Sequence, residues 1–152
     1  MAFLRSISKT DPASLIVGDG IFLRAPQVSD FSEWADLREA SRDFLTPWEP
    51  TWPTDDLTKP SFRRRLRRYQ RESRDGNAYP FFIFREIDRA LVGGCTLSNV
   101  HRGVQQDCTL GYWAGAPFAG QGYITRAVRA VIPFVFEELK LHRIMASCLL
   151  EN

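Results

Sequence analysis

The chain has 152 residues, 44% hydrophobic and 25% charged, with 20 Lys and Arg against 18 Asp and Glu for a net charge of +2. That is the length of one domain, able to bury about two-thirds of its unfolded surface, with a composition ordinary for a soluble globular protein. No apolar run nears the length that crosses a bilayer, and so small a net charge names no partner by itself. Residues 1–18 lack the continuous apolar stretch of a signal peptide. The three cysteines, Cys95, Cys108 and Cys148, sit in apolar strand-like runs. They are expected to be reduced and buried, which favours the cytoplasm. His101 and His142 are isolated from any Cys or His partner, so no metal site is expected.

Residues 1–19 show no clear period and read as a loosely held arm. Residues 21–25 read as a first strand ending at Pro26. Ser29 or Asp30 is placed to cap a helix, with Glu33 completing a capping box. Phe31, Trp34, Leu37 and Ala40 or Ser41 then supply its apolar stripe. Residues 44–53 hold three prolines and two tryptophans and form an ordered aromatic loop. It reads either as a packed connector or as a substrate-facing loop through Trp48 and Trp52. Residues 56–74 form a helix with a narrow stripe of Phe62, Leu66 and Tyr69. Arg63, Arg64, Arg65, Arg67, Arg68, Arg71 and Arg74 crowd the rest of it. This face is either solvated or docks an acidic surface such as ribosomal RNA. Asp75-Gly76-Asn77 ends it with a left-handed turn. Residues 79–86, 91–100 and 106–114 follow as three strands in a meander, with Gly93-Gly94 marking a bulge or close backbone approach. A nearly all-apolar helix over 122–139 should be largely buried and kinked at Pro133. Residues 142–150 read as one more strand.

The chain is organised around the junction of the third meander strand and that last helix. Gly115, Ala116 and Pro117 break the strand, and Gly120 and Gly122 precede the helical pattern of Ile124, Ala127, Val128, Val131, Ile132 and Val135. A helix start flanked by glycines presents free backbone N–H groups and the positive end of a dipole to an anion. It is not a P-loop, since no Gly-Lys-Ser/Thr follows. Nor is it a dinucleotide fingerprint, since Thr125 stands where the last glycine belongs. Gly111-Tyr112-Trp113, Pro117, Gly120-x-Gly122-Tyr123 and Leu139-x-Leu141-His142-Arg143-Ile144 together resemble the Gcn5-related N-acetyltransferase superfamily. The resemblance is greatest to the ribosomal-protein alanine N-acetyltransferases of the RimJ/RimL type, and spans roughly residues 20–152.

The resemblance implies an α/β (α+β) fold: a mixed, mostly antiparallel central sheet flanked by helices, in one domain over 1–152. It also implies that two adjacent strands splay to admit acetyl-CoA as co-substrate. Tyr112, Trp113 and Ala114 would line the pantetheine arm. Phe118, Ala119, Gly120, Gln121, Gly122, Tyr123 and Thr125 would surround the pyrophosphate, with Asn152 a further cofactor contact. Trp48 and Trp52 would face the acceptor. Two departures stand out. Relatives often carry a glutamate two residues before the Gly-Tyr pair, where this chain has Thr109; Glu49 is the first substitute for a proton acceptor and Asp107 the second. The family also continues past Asn152 into a helix and two strands that this chain lacks, which would leave residues 144–150 uncovered. The expected activity is acetyl transfer to a protein N-terminal amine, with alanine of a ribosomal protein as the favoured acceptor. The alternatives are a small-molecule amine acetyltransferase acting on an antibiotic or polyamine, and a non-catalytic acyl-CoA or RNA-docking module. The sequence does not give the oligomeric state.

Overall fold

A computed structural model describes residues 15–152, so most of the expected arm lies outside the described residues. Six strands form one sheet in chain order: β1 (Ile16–Val17), β2 (Ile21–Arg24), β3 (Tyr79–Arg85), β4 (Leu91–His101), β5 (Asp107–Ala114) and β6 (Arg143–Met145). Neighbours from β1 to β5 are antiparallel, and β6 runs parallel to β5. Helices α1 (Phe31–Ala40), α2 (Arg42–Leu45) and α3 (Lys59–Arg74) lie between β2 and β3, and α4 (Tyr123–Pro133) lies between β5 and β6. This is the mixed, mostly antiparallel sheet with flanking helices that the sequence implies.

Strand β3 is apolar along nearly its whole length because both faces of the sheet are covered. Tyr79, Phe81 and Ile83 join the core under α4, with Ala127, Val131 and Val135. Phe82 and Phe84 point the other way, into a core built on Trp34, Leu37, Phe62 and Leu66 from α1 and α3. The rings of Trp34 and Phe62 lie 4.8 Å apart. Full burial of side chains this size contributes about 1.5–3 kcal/mol each, enough to fix the arginine-rich α3 on the sheet. Thr58 caps α3 by accepting from Ser61 N at 3.4 Å, so the helix starts later than expected at 56. Gly76, at φ +74°, ends it as the sequence predicts.

Several local expectations are corrected. Asp30 does not cap α1: its carboxylate takes both Arg24 Nη atoms at 2.8 Å and the Gln27 amide at 2.7 Å. Glu33 does not complete a capping box there; it accepts from Leu91 N at 2.7 Å and ties α1 to β4. Helix α4 is not buried all round, since Ile132 is exposed and only residues such as Ala127 and Val131 are fully covered. At Pro133 the helix passes into a π-type turn over Phe134–Glu138, a known way to absorb a disrupted hydrogen-bond ladder. The strand expected over 142–150 pairs only at Arg143–Met145. Cys95 and Cys108 are buried, and burial pushes the Cys95 thiol up to about 12, whereas Cys148 is exposed.

Candidate active site

Strands β5 and β6 pair only at Asp107–Arg143, Cys108–Ile144 and Thr109–Met145, then separate. Leu110 to Ala114 therefore keep a β6-side edge with no strand partner among the described residues. Asp107 closes the joined end of this fork. Its side chain is fully buried, with one oxygen taking Arg143 Nη2 at 2.7 Å and the other meeting His101 Nδ1 at 2.9 Å. The Arg143 guanidinium first, and His101 second, hold this carboxyl below the usual carboxylate range. A carboxylate so engaged, outside the cleft lining, is placed as a structural clip. Asp107, the second proton-acceptor candidate from the sequence, therefore lies outside the lining of the cleft.

The open end of the fork is a cleft of about 460 Å³. Leu110, Gly111, Tyr112, Trp113 and Ala114 line it from β5, Ile124 from α4, Ser147, Cys148, Leu149 and Asn152 from the diverging segment, and Phe44, Leu45, Trp48 and Glu49 from the aromatic loop. Of the residues singled out in the sequence, Tyr112, Trp113, Ala114, Trp48, Glu49 and Asn152 are thus brought together in one cleft. Phe44, Leu45, Ile124 and the 147–149 segment were not singled out in the sequence. Nothing in their residue types marks them, because splaying of the strands, not side-chain chemistry, puts them there.

At the mouth of the fork the chain turns into α4. Gly120 and Gly122 stand at φ +72° and +81°, and a Cβ at either would meet nothing within 4 Å. They are glycine because the turn is left-handed, not because the space is full. Gly122 holds the N-cap position with no side-chain cap. Among the described residues no acceptor takes the amides of Gly120, Gln121 or Gly122, and the first amides of α4 lack helical partners by geometry. The loop is braced from behind: Gln121 Nε2 donates to Pro117 O at 3.0 Å, and Ser41 Oγ accepts from Ala116 N at 2.8 Å. Phe118 stacks edge-on with Tyr123 at 6.2 Å. Arg126, one turn into α4, lies over Tyr123 and donates to the carbonyls of Gly122 and Asp19. Sequence reasoning passed over this cation, although a basic residue four positions after the second glycine was a readable signal. Phe118, Ala119, Gly120, Gln121, Gly122, Tyr123 and Thr125 form this turn and helix start, beside the cleft and not in its lining.

The aromatic loop is ordered by one buried arginine. Arg38, 6% exposed, grips Glu49 through two bonds of 2.9 and 2.8 Å. Its guanidinium lies 4.2 Å from the Trp52 ring centroid and 5.0 Å from that of Trp113. Trp52 Nε1 also donates to Glu49 at 2.8 Å. Three donors leave the Glu49 carboxylate one lone-pair site. Trp113 comes this close because Gly93 and Gly94 lie beneath it: a Cβ on Gly94 would run into its indole, and one on Gly93 into its carbonyl. The ladder shift at Ile83–Phe84 begins at the Ile83–Gly93 pair and passes over Val92.

Trp113 and Glu49 also line a second, larger groove of about 880 Å³ on the α3 side of the sheet, with Trp52, Tyr69, Thr96 and several α3 arginines. Trp113 and Glu49 are thus shared by the walls of the cleft and the groove. No group of three His, Cys, Asp or Glu that could hold a metal occurs among the described residues, and no helix among them is long and apolar enough to cross a membrane.

Comparison with known proteins agrees with this geometry. The chain is 33% identical over 138 residues to "Probable N-acetyltransferase YjcK" of Bacillus subtilis (strain 168), covering 91% of this chain and 76% of that one. It is 29% identical over 141 residues to "[Ribosomal protein uS5]-alanine N-acetyltransferase" of Escherichia coli (strain K12), covering 93% and 73%. Its fold superposes on Mycobacterium smegmatis RimJ in complex with CoA-disulfide at a TM-score of 0.82 and 28% identity, over 91% of this chain and 68% of that one. Residues 21–152 match the model of the acetyltransferase (GNAT) domain. With a splayed sheet, a glycine-turned helix start and these relatives, the chain belongs to the GNAT acetyltransferase family, whose members are acetyl-CoA-dependent N-acetyltransferases.

Proposed function

We propose that this acetyltransferase modifies the N-terminal amine of a polypeptide, with an N-terminal alanine of a ribosomal protein as the favoured acceptor. The observation that carries this reading is that Trp113 and Glu49 line both the cleft and the groove. A chain terminus can reach the cleft while the residues behind it lie along an open groove, whereas a compact amine needs no such extension. The relatives named for ribosomal-protein alanine acetylation support the same acceptor. Such an acceptor would be met in the cytoplasm.

The residues present fit acetyl-CoA. The free edge of Leu110–Ala114 offers backbone donors and acceptors to an amide-bearing arm. The amides from Gly120 to Thr125 suit a pyrophosphate, and the open space in front of both glycines lets it approach. The bound co-substrate supplies a thioester carbonyl activated toward amines. The protein's task is to hold the amine against that carbonyl, stabilise the oxyanion and remove a proton. Neither Cys95 nor Cys108 is needed as a nucleophile, and both are buried. Glu49, which lines both the cleft and the groove, would be the carboxylate that receives the incoming amine. Its grip on Arg38 fixes its position, and its remaining lone-pair site is available to a proton, directly or through water. Trp48, which lines the cleft and is 39% exposed, and Trp52 would flank the acceptor.

Initial rates of coenzyme A release separate the acceptor classes. Ala- and Ser-starting peptides should be turned over, with aminoglycosides and polyamines left untouched. Turnover of the small amines alone would overturn the reading.

A further inference from the structure

The arginines of α3 do not form one undivided patch. Phe62, Leu66 and Tyr69 face the sheet, and Arg64, Arg68 and Arg71, at offsets of four and seven, share the face that borders the groove. Arg63, Arg67 and Arg74 do not line it. Five arginines and only two carboxylates line this groove, and both carboxylates are already occupied: Glu49 by Arg38, and Asp56 by Arg65 at 2.7 Å. Arg64 keeps only an exposed pairing with Asp55, and Arg68 sits 3.9 Å from Glu72. Arg71 has no carboxylate within 4.0 Å among the described residues. Arg68, Tyr69 and Thr96 also line a neighbouring recess of about 690 Å³, which Glu72 lines beside Arg68 and which reaches His101. Measured along β4, from Gly94 beside Trp113 to His101, groove and recess together span about 23 Å at roughly 3.3 Å per residue, room for some seven extended residues.

We propose that the Arg64, Arg68 and Arg71 row selects acceptor polypeptides with acidic side chains within about the first seven residues. This rests on the reading of the acceptor as a chain terminus and adds the chemical class of its following residues. Each exposed charge pair is worth little alone, about two- to fivefold, but three acting on one segment should reach about tenfold. The preference should fade with salt, since the pairs lie at the surface.

Three Ala-starting heptapeptides, identical except for Glu, Gln or Lys at positions 3, 5 and 6, test this with acetyl-CoA. Binding of the same peptides, fluorescently labelled at the C-terminus, is followed in parallel by anisotropy at 50 and 300 mM salt, so that affinity is read whether or not turnover occurs. The acidic peptide should exceed the Gln peptide at least about tenfold in kcat/KM and in affinity at low salt, and the Lys peptide should be worst. Arg68→Gln/Arg71→Gln should abolish the preference, and Arg63→Gln/Arg67→Gln on the outer face should keep it. Equal affinity for all three peptides, or equal loss in both double variants, would overturn the proposal. So would an RNA oligonucleotide whose binding is lost only in Arg68→Gln/Arg71→Gln while the peptides are not discriminated. If small amines alone are acetylated, the chain-terminus reading fails, and the anisotropy series still decides whether the row binds acidic segments.

Discussion

Gly122→Val is the most telling perturbation of the co-substrate site. Gly122 has φ +81° and ψ 8° and serves as the N-cap of α4. A valine held there is in a backbone region unfavourable to β-branched residues, at a cost of order 1–3 kcal/mol. No steric term adds to this within the protein, because an ideal Cβ meets nothing within 4 Å. The variant should therefore fold, with a melting temperature lower by several degrees, since about 1 kcal/mol shifts a domain of this size by roughly 2–4 °C. The same open space is where the account places a pyrophosphate, so the isopropyl group stands where the anion must approach. Coenzyme A affinity should fall at least about tenfold, equivalent to roughly 1.4 kcal/mol. Gln121→Ala is the matched control: its amide only braces Pro117 O from the exposed side, and affinity should change less than about threefold, or roughly 0.7 kcal/mol. Calorimetric titration of coenzyme A into both variants and the parent, with circular dichroism to establish folding, makes the comparison. Parental affinity in a folded Gly122→Val protein would place the pyrophosphate elsewhere and refute the reasoning.

Glu49→Gln should lower kcat/KM for a peptide about 10²-fold at pH 7 and recover toward pH 9, as an amine of pKa near 8 sheds its own proton; a pH-independent loss would leave Glu49 a purely structural partner of Arg38. The same variant strands a buried guanidinium, so thermal melting should also show a stability loss of about 3–5 kcal/mol. Gly94→Ala pushes against the Trp113 indole and should cost about 1–3 kcal/mol, raising the peptide KM more than that for acetyl-CoA. Asp107 has a folded pKa lowered by Arg143 and His101, so its contribution to stability is present above the unfolded value near 3.9 and is lost as pH falls below it. Asp107→Asn should lower the melting temperature at pH 7 and flatten the acid limb of a Tm-against-pH series between about pH 5 and 2.

The meander was legible in the sequence because β-branched and aromatic runs between glycine turns admit few other readings. The glycine turn was legible because only its left-handed backbone explains two glycines around Gln121. Helix α3 could be recognised from its stripe, but the division of its arginines could not, since that depends on how the helix sits on β3 and which flank borders the groove. Glu49 could be named as a carboxylate in an aromatic loop, whereas its buried partner Arg38 lies eleven residues earlier on an amphipathic helix and looks like any surface arginine there. Asp107 lies close to the Gly-Tyr pair in sequence, while the three-residue pairing of β5 with β6 puts it at the closed end of the fork. The reach of β6 was overread because the apolar run of residues 144–150 continues past the point where the strands part. Cys148 was misplaced with it.

The central claim is acetyl transfer to the α-amine of a chain terminus, and the site of the acetyl group tests it most directly. An Ala-starting peptide carrying one internal lysine, mixed with equimolar spermidine and an aminoglycoside, is incubated with the protein and isotope-labelled acetyl-CoA and read by tandem mass spectrometry. A single label on the alanine α-amine is expected, absent when that amine is blocked. Label on the lysine ε-amine, or on either small amine with the peptide unmodified, would contradict it.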